Sequence, residues 1–199
     1  MKNNKKKVLI LLSILILCLV ILFLVQIYAK YLSSAIGDTK MSIASWNILV
    51  NNLSVTNNTD ISSSIVPVFP GNEHISSNII APTSEGYFDL NLDFTDTNVS
   101  FKYEITTSVD EQSPVKDLVA TGYSIDGGEK INFPNYTDTK IAEDILLNSN
   151  IHKRNIRIYI LWNDDSETSQ MTNEDDTIAT TSDTPAIFHV NVQFTQITE

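Results

Sequence analysis

The 199-residue chain has one cysteine, Cys18, so no internal disulfide can form. Whatever part folds must hold together through its apolar core alone. Histidine is nearly as scarce. His74, His152 and His189 stand far apart, no H-E-x-x-H occurs, and no pair has the spacing that holds zinc. No G-x-S-x-G surrounds a serine, and the only thiol lies inside an apolar run, which leaves no candidate nucleophile. A non-enzymatic protein with no catalytic residues is therefore expected. Positive charge is also short, with 13 Lys and Arg against 24 Asp and Glu. Lys2, Lys5, Lys6, Lys7 and Lys30 fall in the first 34 residues, which contain no acid. The other 165 residues thus carry eight basic and 24 acidic side chains, a net charge of −16. Such a body repels phosphate backbones, which excludes nucleic acid as a partner.

Apolar sequence is abundant in one place. Val8 to Val25 is an unbroken run of 18 residues with only Ser13 and Cys18 as weakly polar members. As a helix it would span about 27 Å, close to the thickness of a bilayer core. Lys5, Lys6 and Lys7 would stay on the cytoplasmic side, so everything after Gln26 is expected to be exported. Two fates are open for this leader. Ile27-Tyr28-Ala29 has a small residue at −1 and an aliphatic at −3, which makes Ala29 a candidate site for a signal peptidase. The run is longer than the ~7–15 residues of an ordinary signal peptide, which favours an uncleaved anchor crossing the membrane at residues 8–25. The expected organisation is a leader at 1–29, a polar segment at 30–40 and one folded domain at 41–199. A body of that size buries about 70% of its unfolded surface, enough for a core without disulfides.

From Met41 onward apolar residues recur with period two. Phe88, Leu90, Leu92 and Phe94 alternate with Asp89, Asn91 and Asp93, and Val99, Phe101, Tyr103 and Ile105 alternate with Ser100, Lys102 and Glu104. Thr95-Asp96-Thr97-Asn98 between them reads as a hairpin turn. Further strands are expected at Trp46–Val50, at Ile65–Phe69 (an edge strand, because of Pro67), at Ile156–Trp162 and at Phe188–Phe194. Val119, Thr121, Tyr123 and Ile125 lead through Asp126-Gly127-Gly128 to Ile131 and Phe133, a second hairpin. Met41 and Ile43 are out of phase with Trp46, which predicts a bulge near Ser45. Two turns of helix are expected over Lys140–Leu147, and a capping box at Thr172–Asp175 opens one more turn. About eight short strands predict an all-β, antiparallel β-sandwich of jelly-roll or immunoglobulin-like topology.

The acidic residues after Trp162 are the only candidate site read from the residues themselves. Asp164, Asp165 and Glu167 are followed by Glu174, Asp175 and Asp176, and loop carboxylates are what calcium requires. The loop nevertheless lacks the D-x-[DN]-x-[DN]-G pattern and its glycine, so a solvated acidic loop is the competing reading.

Several short words stand in a familiar order. The basic apolar leader runs into Tyr28-Ala29-Lys30-Tyr31, followed by Ser45-Trp46-Asn47-Ile48. Ile80-Ala81-Pro82-Thr83-Ser84-Glu85-Gly86 precedes the Phe88 strand, and Ile160-Leu161-Trp162, Asn173-Glu174-Asp175-Asp176-Thr177 and Thr195-Gln196 follow. In this the chain resembles the TasA/camelysin group of exported Gram-positive bacterial proteins. The resemblance implies a jelly roll displayed outside the cell and a leader removed by a SipW-type signal peptidase. Some members of that group build biofilm-matrix fibres by adding the mature N-terminal segment as a strand to the next subunit. Here that segment would be Lys30 to Lys40. The metalloendopeptidase activity attached to the camelysin name finds no zinc ligand set in this chain. A structural matrix subunit is thus the first expectation. The alternative is a membrane-anchored module binding cell-wall glycan, a peptide or calcium.

Overall fold

The structure is a computed structural model that describes residues 2–31 and 42–198. The chain divides into two compact units, Met1–Ser42 and Ile43–Glu199. In the first, helix α1 (Lys2–Tyr31) contains a stretch, Asn4–Leu24, that is long and apolar enough to be a signal sequence or a membrane span. None of that stretch is buried. Ala29 lies within α1. Of the 30–40 segment, residues 32–40 lie outside the described residues, as does Met41.

The second unit is built of two antiparallel sheets. Its strands are β1 (Leu49–Val50), β2 (Leu53–Ser54), β3 (Glu85–Asp93), β4 (Phe101–Val109), β5 (Leu118–Ile125), β6 (Ile131–Asn132), β7 (Ile141–Ile145), β8 (Lys153–Trp162) and β9 (Phe188–Gln196), with helix α2 (Asn173–Thr180) between the last two. The larger sheet has the order β2-β1-β3-β8-β5-β6 and the smaller β7-β4-β9. Alternation explains both. Phe88, Leu90 and Leu92 of β3, Ile156, Ile158 and Ile160 of β8, and Phe101, Tyr103 and Ile105 of β4 are all buried in one shared core.

The strongest sequence expectation is corrected here. β3 and β4 are both strands, but they are not a hairpin: β3 pairs with β1 and β8, and β4 with β7 and β9. Each has a single apolar face. Adjacent in one sheet, the two faces would point the same way and need a further layer to cover them. Placed in opposite sheets, they cover one another, and Phe94 meets Phe101 edge-on at 5.1 Å. The Thr95–Asn98 turn makes the crossing by leaning on the chain before β1. Asn98 Oδ1 accepts from Ser45 N at 2.6 Å, and Thr97 Oγ1 donates to Asn47 O at 2.8 Å.

Lys140–Leu147 is also not a helix. Ile141 and Ile145 are four apart, a spacing that satisfies a helical stripe and a strand face equally. Their partners decide, since Ile141 pairs with Ile105 and Ile145 with Phe101. The Ile65–Phe69 segment makes only a single bridge, Val68 to Tyr87, after a 3-10 turn at Ser62–Ser64. Ser42–Ile48 belongs to no strand, so the bulge expected near Ser45 is absent; the register shift lies instead in β5, between Ala120 and Gly122. It turns Tyr123 and Ile125 onto the core. A Cβ at Gly122 would stand 2.4 Å from the Ile131 carbonyl oxygen, so only glycine fits there. The Asp126-Gly127 hairpin turn is present, with φ of 52° and 73°.

The two sheets are also joined by charge. Glu143 projects from the inward face of β7, between Ile141 and Ile145. It accepts from the Tyr103 hydroxyl at 2.7 Å and from Arg154 Nε and Nη2 at 2.9 and 2.6 Å. Arg154 belongs to β8 in the other sheet, and its Nη1 reaches Asp126 Oδ2 at 2.6 Å. The Arg154 guanidinium holds the Glu143 carboxyl below the usual range, while burial pushes the Tyr103 phenol up.

Candidate functional site

Among the described residues, β2, β6, β7 and β9 each pair on one side only. β2 and β6 are two residues long, and β7 is five. β9 has nine residues, Phe-His-Val-Asn-Val-Gln-Phe-Thr-Gln, with no lysine, arginine, aspartate or glutamate. Long free edges are ordinarily blunted by charge, because they offer a row of unpaired N–H and C=O groups to any other strand. Along β9 the inward side chains Val190, Val192 and Phe194 are only half-buried, although they belong to the core face. The smaller sheet is short of cover at this flank.

An open groove of about 700 Å³ runs there between β9 and the β1–β2 hairpin. Ile48, Val50, Val55 and Ile61 line its far wall, and Trp46, stacked edge-on against Phe101 at 5.9 Å, stands at its mouth. The remaining lining is hydroxyl and amide, and no charged side chain faces the groove in a chain of net charge −11. The hairpin wall is fixed locally. Asn51 and Asn52 take left-handed φ values of 48° and 69°, which a two-residue type I′ turn requires and asparagine tolerates. Asn51 also ties the turn down, donating to Ser64 O at 2.9 Å and accepting from Asn91 N at 2.7 Å. The arrangement can receive an extended, uncharged segment, giving it backbone partners on β9 and apolar contacts across the gap. Nothing in the sequence reading pointed to this groove. Its only trace there is the absence of charge in residues 188–196.

The six acidic candidates are not gathered into one site, and those that make contacts are used locally. Asp165 Oδ1 accepts from Glu167 N at 2.9 Å. Asp175 closes the capping box with Thr172, and those bonds hold its carboxyl low. Asp176 is buried and accepts from the Trp162 indole at 3.2 Å; burial pushes its carboxyl up. Asp164 and Glu174 are exposed, as is Glu167. Among the described residues no group of three or more His, Cys, Asp or Glu is placed to hold a metal. His189 faces outward from β9 and pairs with Asp110 at 2.6 Å, and His74 lies 3.2 Å from its neighbour Glu73. His152 is exposed in the loop before β8. No known family model and no curated protein matches this chain.

Proposed function

We propose that this chain is a non-enzymatic, exported structural subunit of jelly-roll type, akin to the TasA/camelysin group, that assembles by accepting a strand along β9. The observation that carries the reading is a nine-residue uncharged free edge bordering an open, uncharged groove. The donor is the Lys30–Lys40 segment of a second copy. Its stretch Tyr31-Leu32-Ser33-Ser34-Ala35-Ile36-Gly37 carries no charge and includes three large side chains, Tyr31, Leu32 and Ile36, which suits an uncharged slot. Release of the donor requires a signal peptidase to cut after Ala29. Chain crossings from β3 to β4 and from β8 to β9, each passing between the sheets, support the jelly-roll assignment.

The test has two stages. N-terminal sequencing of the exported product is expected to begin at Lys30, and the purified Lys30–Glu199 chain is expected to elongate into fibres visible by electron microscopy. An intact Met1–Val25 segment on the mature protein, or a chain beginning at Lys30 that stays monomeric, overturns the proposal. The length of the apolar run favours a second reading, a membrane-anchored binding module. Its calcium form predicts that millimolar calcium raises the melting temperature of the full chain.

A further inference from the structure

Three loops meet at one end of the second unit: residues 43–48 before β1, 95–100 between β3 and β4, and 146–152 between β7 and β8. Hydrogen bonds tie them together. Asn98 holds the first loop through Ser45, the Phe94 N–H donates to the His152 carbonyl at 2.9 Å, and the Ser100 hydroxyl accepts from Leu147 N at 3.1 Å. Ser149 donates to the Leu146 carbonyl from its N–H at 3.0 Å and from its hydroxyl at 2.7 Å. The turn so closed leaves Leu146 and Leu147 outside the core.

Four large apolar side chains are exposed on this end: Ile43, Trp46, Leu146 and Leu147, with Trp46 at 42% and Ile43 at 93%. Trp46 and Leu147 both stand against the Ser100–Phe101 corner. Of the four, only Trp46 also borders the groove. Charge is sparse here. The three loops hold Asp96 and His152, and no lysine, arginine or glutamate. The opposite end, where β4 and β8 finish, is the reverse. There residues 110–117 and 163–187 hold ten acidic side chains against one base, Lys116.

The chain leading from α1 enters the unit at the apolar end, since Ser42 and Ile43 precede Trp46 there. Residues 32–41 separate that entry from Tyr31, and a connection of this length spans at most about 35 Å. We infer that this end docks on the lipid bilayer in which α1 is inserted, with Ile43, Trp46, Leu146 and Leu147 entering the headgroup boundary. An anchor keeps α1 in that state, and a signal sequence passes through it. Tryptophan favours the membrane interface, and the three aliphatic side chains add apolar area that burial there rewards. Four side chains bind a bilayer weakly by themselves. The tether makes the contact intramolecular, which raises its effective concentration and favours the bilayer over a second copy as the occupant. An anionic lipid surface repels the ten acids of the far end, and that repulsion selects the end that faces it. The docking does not depend on strand addition along β9.

The full chain is reconstituted in vesicles of phosphatidylethanolamine and phosphatidylglycerol whose acyl chains bear doxyl labels just below the headgroups. The labels are expected to quench Trp46, whereas Trp162, buried at the opposite end, serves as the built-in control. Quenching is therefore expected to vanish in Trp46→Phe. It is expected to be largely lost in Leu146→Ser with Leu147→Ser, which alters only exposed positions. A parent chain whose emission the labels do not change overturns the inference. So does quenching that survives Trp46→Phe or is unaltered by the double substitution. A Trp46 shielded from acrylamide yet untouched by labelled lipid overturns it too, because a second copy would then cover this end.

Discussion

β7 and β9 flank β4 on its two sides, and each leaves an edge unpaired among the described residues, yet the two edges are defended differently. β7 is short and carries Glu143 and Asp144, and Glu143 fastens it to β8 in the other sheet through Arg154. β9 is nearly twice as long, carries no acid or base apart from His189, and has no such fastening. Its inward valines and Phe194 stand half-exposed at a groove, whereas Ile141 and Ile145 of β7 are buried. The difference teaches that the same sheet has one fastened side and one side without the charges that ordinarily guard an edge.

The comparison can be broken most forcefully at the strand both edges share. Phe101 is buried between them, opposite Ile145 in register and 6.0 Å from the Phe194 ring. Phe101→Ala is expected to cost about 3–5 kcal/mol in urea unfolding. If β7 is held independently by its ion pair, hydrogen exchange in this variant will accelerate along β9 more than along β7. Equal acceleration would show that the fastening contributes nothing.

Glu143→Gln tests the fastened side alone. It is expected to cost about 1–2 kcal/mol near neutral pH, a figure reduced because the pair is partly open to solvent. The depressed carboxyl of Glu143 means that its contribution is present above the ordinary glutamate value and is lost as pH falls through the lower value in the folded protein. Stability measured from about pH 6 down to about pH 3 should therefore decline less steeply in the variant than in the parent.

The open side is tested by guarding it. Asn191 and Gln193 are exposed on β9, so Asn191→Lys with Gln193→Lys adds charge to the edge without touching the core. Self-association of the Lys30–Glu199 chain is expected to weaken by at least about tenfold, or ~1.4 kcal/mol, in light scattering. Ala142→Lys on β7 is the matched control and is expected to leave association unchanged. Equal effects from both variants would erase the distinction between the edges.

How much of this was legible depends on which relation is asked about. The faces of β3, β4 and β8 could be read, because alternation records which side of a strand is buried. Their partners could not, because a one-faced strand says nothing about its neighbour in the sheet. That is why Phe88–Phe94 and Phe101–Ile105 read as a hairpin when they lie in opposite sheets. The capping box at Thr172 was visible because it is closed within four residues. The Glu143–Arg154 pair was not, since it joins residues on different sheets. The groove was hidden for another reason: its two walls, residues 46–61 and 190–194, come from opposite ends of the folded unit's sequence.

Under the proposed strand addition, a chain with its acceptor flank at β9 and its donor near the other end of its sequence would form a head-to-tail contact. An assembly built that way has a direction. Its two tips differ, one always bearing an unfilled slot and the other an unused tail, so growth and arrest are separate events at separate ends. A free peptide copying residues 31–37 would stall the first tip and leave the second untouched.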